Sequence, residues 1–323
     1  MAKAFIAARE LGLTLLPTAW GLNDRGYHEY FGTSRLDFLR LHALATFLPR
    51  YTFTENDFRA TGERDFEKAI HVYARDHDLH DKPAFVLMTE GLWGEFHAIR
   101  NAAPFILRTL YGTHHTVENL YHFAKLTVDR DLIVAVNIRL TDFAIPTPET
   151  DFRGLWNTRI PLTWYSRVCR SLRSSLGDAV TFYLVTDGKP EELRDFIEEF
   201  HPLVHWDVRY SDISNLLIMS QADALICSIS SYSEWAAFLS KAPYFWYRPH
   251  LRPVEGRETI WGYLADASPI AGLKDASYPR GVPVDDSGEV SDWVVEYLRQ
   301  RRSLNRLPLD LVRSGGVPSG GKR

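Results

Sequence analysis

The sequence predicts an α/β protein built on parallel sheet, with helices packed on both faces. Three observations lead there. From residue 130 onward, apolar runs of strand length alternate with helical patterns. Those runs, among them "LIVAVNIR" and "AVTFYLVTD", are continuously apolar, the pattern of strands buried on both faces. The length of 323 residues is long for one hydrophobic core, so one large or two medium domains are expected. The divisions expected are an N-terminal α/β domain over 1–128, a second α/β domain over 129–300, and a flexible tail over 301–323 whose "SGGVPSGGKR" has the composition of disorder.

The N-terminal elements follow from spacing. "AKAFIAARE" has helical periodicity, Gly12 stops it, and "LTLLP" reads as a short strand. "SRLDFLRLHALATFL" is an amphipathic helix and "YTFTE" a strand. Residues 63–82 are charged and helical, with His71, His77 and His80 at spacings that match no metal motif. "AFVLMTEGLWG" reads as a buried strand ending in a loop, which makes Gly91, Trp93 and Gly94 candidate site residues. Helical patterns follow near 98–110 and 114–127.

In the second half, "LIVAVNIR" is a strand and "PLTWYSRVCRSLRSSL" a helix stopped by Gly177. "AVTFYLVTD" is the next strand, and "KPEELRDFIEEF" a helix with Pro190 in its first turn. "LVHWD" is a short strand and "DISNLLIMSQA" a helix with Asp212 as its expected N-cap. "DALICSIS", "SYSEWAAFLSK" and "APYFWY" give strand, helix and strand. The Pro- and Gly-rich stretch 248–290 reads mostly as loop with a short helix at "TIWGYLA", and "VSDWVVEYLRQRRSL" closes the domain as a helix.

Composition narrows the function classes. Apolar residues are 45% and charged residues 24%, the balance of a soluble globular protein. A net charge of -4 supplies no electrostatic footprint for nucleic acid. Cys169 and Cys227 stand in unlike contexts and suggest neither a disulfide framework nor a zinc site. No apolar run reaches bilayer length, and Lys3, Arg9 and Glu10 interrupt the opening segment, so a cytoplasmic protein without a transmembrane segment is expected. No G-x-G-x-x-G, P-loop or G-x-S-x-G is present, which argues against a classical-type NAD enzyme, an ATPase or a serine hydrolase.

In open parallel sheets, ligands bind beyond the carboxyl ends of the strands. There the second half presents Asn137, Arg139, Thr141 and Asp142 after one strand, and Asp187 after the next. Ser228, Ser230, Ser231, Tyr232, Ser233 and Glu234 follow a third. Hydroxyls and first-turn N–H groups at a strand–helix junction can surround an anion, and an arginine supplies the countercharge. The competing reading is plain capping, with Ser231 or Ser233 as the cap and Glu234 favouring the first turn.

These residues also carry a resemblance. "VAVNIRLTDF" resembles the H-x-R-x-G-D-[FY] motif of alpha-1,2-fucosyltransferases and the H-V-R-R-T-D of alpha-1,6-fucosyltransferases. "SQADALICSISSYSEWAAFL" resembles their later S-x-S-[ST]-F-S-x-W-A-A-x-L motif, and "FYLVTDG" the strand between. The resemblance covers about residues 130–245, in the family's order. It implies a GT-B-like enzyme of two Rossmann-like α/β halves facing across a cleft. Such an enzyme takes a nucleotide-sugar donor, GDP-fucose or another GDP-sugar, and transfers the sugar with inversion to a hydroxyl of a glycan or small-molecule acceptor. It implies no metal and no further cofactor. Arg139 matches the family arginine on the donor diphosphate. Ser228, Ser230, Ser231, Tyr232 and Ser233 match residues around phosphates and nucleoside, and Asn137 and Asp187 fall beside them. Arg139 and Asp142 are the catalytic candidates, Asp142 either as base or as partner of Arg139, with Glu90 another candidate base.

The chain departs from the family pattern in several places, one of them Thr141, where alpha-1,2 members carry Gly and alpha-1,6 members Thr. Asn137 stands where alpha-1,2 members carry His and cannot act as a base. Tyr232 replaces Phe. "AKAFIAARELGLTLLP" resembles the family's first helix and second strand without the preceding strand and G-[GL]-G-N loop, so an unfilled sheet edge is expected in the N-terminal half. These departures leave a catalytically inactive nucleotide- or glycan-binding relative as the alternative.

Overall fold

A computed structural model of the chain describes residues 1–16, 39, 43, 45–91, 96–113, 115–153, 155, 157–204, 206, 211–254, 257–260, 263–264 and 280–300. Two compact units emerge, Met1–His114 and His115–Arg323. Both are α/β with parallel strands, as the GT-B-like expectation requires.

In the first unit, helix α1 (Ala2–Glu10) buries Ile6 and Ala7 and is followed by residues 13–16 in irregular backbone, not the strand expected at "LTLLP". Leu39, Ala43, Ala45 and Thr46 are helical, and the rest of the helix expected there lies outside the described residues. Strand β1 (Arg50–Phe53) leads into α2 (Glu55–Ala60) through a capping box in which Thr54 and Asp57 bond reciprocally. Helix α3 (Phe66–Asp76) lays Phe66 and Tyr73 edge-on against Phe53, and the Tyr73 hydroxyl donates to the Thr52 carbonyl at 2.9 Å. Strand β2 (Val86–Thr89) pairs parallel with β1 in the register Arg50↔Val86. It is half-exposed rather than buried, because this sheet has two strands among the described residues and Met88 is 41% exposed. After a 3-10 stretch over Phe96–Ala102, α4 (Ala103–Tyr111) packs on α1 with Phe5 and Phe105 stacked at 3.9 Å. His71 lies against Glu10, and His77 Nδ1 against the Tyr73 carbonyl, so these histidines serve separate local contacts.

The second unit begins with α5 (Thr116–Thr127). Strand β3 (Leu132–Ile138) is buried at all seven positions. Helix α6 (Leu162–Leu176) ends at Gly177, whose φ of +63° makes the stop predicted from sequence. Strand β4 (Val180–Thr186) comes next. The helix expected over "KPEELRDFIEEF" starts instead as a 3-10 turn, Pro190–Leu193, and becomes α7 (Arg194–Phe200). Then come β5 (Leu203–Val204), α8 (Ser211–Gln221), β6 (Ala224–Ile226), α9 (Ser231–Leu239) and β7 (Tyr244–Tyr247). Asp212 stands inside the first turn of α8 rather than at its N-cap, and β6 is shorter than "DALICSIS" suggests, because Cys227–Ser230 already bend toward α9.

The stretch 248–290 holds more strand than expected. Arg252–Val254 (β8), Arg257–Ile260 (β9) and Tyr263–Leu264 (β10) form an antiparallel sheet, so "TIWGYLA" contributes strand residues where a helix was expected. Its β-branched and aromatic residues favour extended backbone. Strand β11 (Gly281–Val284) then joins the main sheet, and α10 (Asp292–Gln300) comes after it. The tail over 301–323 lies outside the described residues.

The main sheet is six-stranded and wholly parallel, in the order β11-β7-β6-β3-β4-β5. Counted in chain order from the β5 edge, that is 3-2-1-4-5-6, the Rossmann order. Leu132, Val134, Val136 and Ile138 of β3 face a core shared with α6, α7 and α10. On the other face Tyr183 meets Phe123 of α5 and bonds Asn215 of α8 at 2.6 Å, and Asn137 meets α9. The strand order reverses between β3 and β6. In sheets of this order ligands bind outside the carboxyl ends of the strands, at such a switch point.

Candidate functional site

The residues singled out from sequence converge on this point. Val134, Ala135 and Val136 pair with Ala224, Leu225 and Ile226, so the exits of β3 and β6 are neighbours. Asn137 is 1% exposed and is the hub between them. Its Oδ1 accepts from Ser228 Oγ at 2.7 Å and Ser233 Oγ at 2.8 Å, with Ser230 Oγ at 3.4 Å. Its Nδ2 donates to the Val185 carbonyl of β4 at 3.2 Å. One amide thus ties three consecutive strand ends together. A histidine nitrogen has a single lone pair and cannot accept from two serines at once, so the asparagine suits this serine-rich turn.

The same network builds the start of α9. Ser230 is the N-cap, in extended backbone, and its Oγ accepts from the Ser233 N–H at 3.2 Å. The cap is therefore Ser230, not Ser231 or Ser233. Ser233 is fully buried and its Oγ accepts from the Ser228 N–H at 3.0 Å, while the hydroxyls of Ser228 and Ser230 lie 2.8 Å apart. Ser231 is exposed at the helix tip, where the first-turn amides precede the helix's own hydrogen-bond ladder. The Tyr232 hydroxyl donates to the Asp212 carbonyl and joins α9 to α8. Four serines with one apparent purpose in the sequence divide here into a buried frame and one outward hydroxyl.

Arg139 follows β3 with its side chain 18% exposed. Its Nη2 donates to Asp142 Oδ1 at 2.8 Å, and its guanidinium carbon lies 5.6 Å from the Phe143 ring centre. Nε is 3.1 Å from Asp187 Oδ2, but the N–H is not directed along that line, so the contact is ionic rather than a hydrogen bond. Asp187 has other commitments: Oδ1 accepts from the Leu140 N–H at 2.8 Å and Oδ2 from the Thr141 hydroxyl at 2.6 Å. Burial alone would raise its pKa, yet these hydrogen bonds and the charge of Arg139 outweigh burial and hold the carboxyl below its usual range. Asp142 is 58% exposed and bonds Arg139.

One ionisable group that the sequence places on this edge, or in the first turn of its helix, is buried. Glu234 is 7% exposed and lies beside Cys227. Its carboxyl makes no hydrogen bond among the described residues, and burial pushes its pKa up to about 8. The available signal was its setting, a glutamate inside "SYSEWAAFL" among small and apolar neighbours. Cys169 and Cys227 are free, buried thiols pushed up by burial, and so poor nucleophiles. Gly91 belongs to the first unit, where its carbonyl accepts from Lys3 Nζ; Trp93 and Gly94 lie outside the described residues. Glu90, the other candidate base, is exposed. Among the described residues there is no group of three or more His, Cys, Asp or Glu arranged to hold a metal ion, and no helix long and apolar enough to cross a membrane.

No family model matches the chain, and no curated protein matches it. Among solved structures, POFUT1 in complex with GDP-fucose is similar with a TM-score of 0.44 and 11% sequence identity, covering 75% of this chain and 89% of that one.

Proposed function

We propose that the second unit binds a nucleotide-sugar at the β3/β6 switch point and that the protein is a glycosyltransferase. In this reading it moves fucose or a related sugar from a GDP-linked donor to a hydroxyl of a glycan or small molecule. The observation that carries it is the adjacency of Arg139 and the α9 tip on neighbouring strand ends of a Rossmann-ordered sheet. The order of the three sequence motifs adds the sugar-transfer chemistry.

The acceptor oxygen attacks the anomeric carbon, and the bond from that carbon to the diphosphate oxygen breaks. The electron pair leaves with GDP, so negative charge grows on the phosphate beside Arg139. A fixed guanidinium stabilises that charge more than it stabilises bound donor, which is how it accelerates the step. Ser231 and the first-turn amides of α9 add donors to the same oxygens. Asn137, Ser228, Ser230 and Ser233 form the frame that holds the α9 tip against β3. The acceptor proton leaves to a base outside this set, since the Asn137 amide cannot take it.

That last point favours a second reading, a binding protein without turnover. A thermal-shift series with GDP, UDP, ADP and GDP-fucose tests the shared premise through mass-action stabilisation. Selective stabilisation by the two guanine ligands is expected. Equal response to all four, or to none, would remove the premise.

A further inference from the structure

We propose that Asp142 is a displaceable counterion of Arg139, which an anionic ligand replaces on binding, while Asp187 is the fixed strut that keeps the arginine in place. The proposal rests on the reading of this edge as a diphosphate site. It starts from the unequal standing of the two carboxylates. Asp187 is part-buried, and both its oxygens are occupied by the Leu140 N–H and the Thr141 hydroxyl. Moving it would release the loop that carries Arg139. Asp142 is mostly in solvent and holds Arg139 through one oxygen at 2.8 Å. An exposed pair of this kind is weak, because water and salt screen it and two side chains must be ordered to form it.

The arginine itself has capacity to spare. A guanidinium offers five N–H donors. Among the described residues, Arg139 makes one hydrogen bond, through Nη2, and Nη1 makes none. Phe143 lies within cation–π reach of the group. The obstacle to an anion is charge: the one guanidinium faces two carboxylates, Asp142 and Asp187. A diphosphate offers paired oxygens and more charge than Asp142, so it takes the arginine fork and sends Asp142 to solvent. The neighbouring carboxylate then still repels the ligand. Removing its charge should tighten binding, whereas a ligand-contacting or proton-accepting Asp142 would weaken or leave binding unchanged when neutralised.

The test is titration calorimetry of the full chain with GDP and with inorganic pyrophosphate, for the wild type, Asp142→Asn, Asp187→Asn and Arg139→Met. Asp142→Asn is expected to bind both probes about threefold or more tighter, the combined effect of a lost competitor and lost repulsion. The gain should shrink as salt is raised. Asp187→Asn is expected to weaken both probes, and Arg139→Met to abolish pyrophosphate binding. Circular dichroism of each variant separates loss of binding from loss of fold, and Asp142→Ser gives a second uncharged side chain at the exposed position. Unchanged or weaker binding by both Asp142 variants overturns the counterion role while leaving the diphosphate site standing. GDP binding that survives Arg139→Met unaltered, or no binding of either probe by the wild type, overturns the site and the counterion together.

Discussion

Replacing Glu234 by Gln should change how the stability of the second unit responds to pH. The carboxyl is buried at the start of α9 without a hydrogen bond among the described residues, and its pKa moves from an ordinary 4.5 up to about 8. In the unfolded chain the proton leaves near 4.5, whereas in the folded chain it stays until about 8. Between those values the folded state binds more protons, so stability falls as pH rises through that window and is constant above it. At about 1.4 kcal/mol per pH unit, the full span corresponds to about 5 kcal/mol. Gln keeps the shape and a neutral head, so E234Q should lack this slope. Urea unfolding followed by tryptophan fluorescence at about pH 5, 6, 7, 8 and 9 measures it. Wild type and E234Q should be alike at about pH 5, with E234Q several kcal/mol more stable by about pH 8–9. Parallel curves across the range would show instead that Glu234 ionises in the folded state as it does in the unfolded chain.

Three further outcomes rest on the packing. Asn137→Ala removes the acceptor that the buried hydroxyls of Ser228 and Ser233 share and should cost about 2–4 kcal/mol in denaturant unfolding; adding Ser228→Ala should recover part of that, since removing donor and acceptor together is cheaper than orphaning one, whereas adding Ser233→Ala should not, because its Oγ also accepts from the Ser228 N–H. His250 is buried with Nε2 against the Leu155 carbonyl, and burial lowers its pKa from 6.5, so the unfolded chain binds the proton first and stability should drop as pH falls below about 6.5; His250→Gln should flatten that acid limb in the same urea series. Gly288 has φ of +72°, and a Cβ there would stand 2.4 Å from Arg167 Cβ and 2.7 Å from the Val168 nitrogen of α6, so Gly288→Ala should lower the melting temperature by several degrees, corresponding to at least about 2 kcal/mol.

Much of the second unit is readable from local sequence because fully buried parallel strands are continuous apolar runs and their ends are marked by a switch to polar residues. Arg139, Asp187 and Ser228–Ser233 fall at such ends, and the sheet order brings them together. Local reading misses elements decided elsewhere. In β11, "GVPV", Gly281 and Pro283 offset the strand propensity of the two valines; it extends as the outer strand beside β7, and an edge tolerates Pro283. β9 and β10 pair with each other, and no helical spacing in "TIWGYLA" survives that pairing. The Asn137 network joins residues more than ninety positions apart, so spacing cannot reveal that three serines are spent on one amide. Burial of Glu234 likewise depends on packing across the unit. In the first unit, the strand expected at residues 13–16 is irregular; β1 and β2 follow from their own strand-like runs, though β2 is less buried than its sequence suggests, and α3 falls inside the charged helical pattern of residues 63–82.

Whether the Arg139 edge of the second unit serves sugar transfer from a GDP-linked donor is decided by measuring GDP release from GDP-fucose, with and without a panel of glycan acceptors, for wild type and Arg139→Met. GDP release by the wild type, faster with a suitable acceptor, and its loss in Arg139→Met with the fold intact are expected. Tight binding of GDP-fucose with no GDP released under any acceptor would contradict transfer and leave a binding protein in its place.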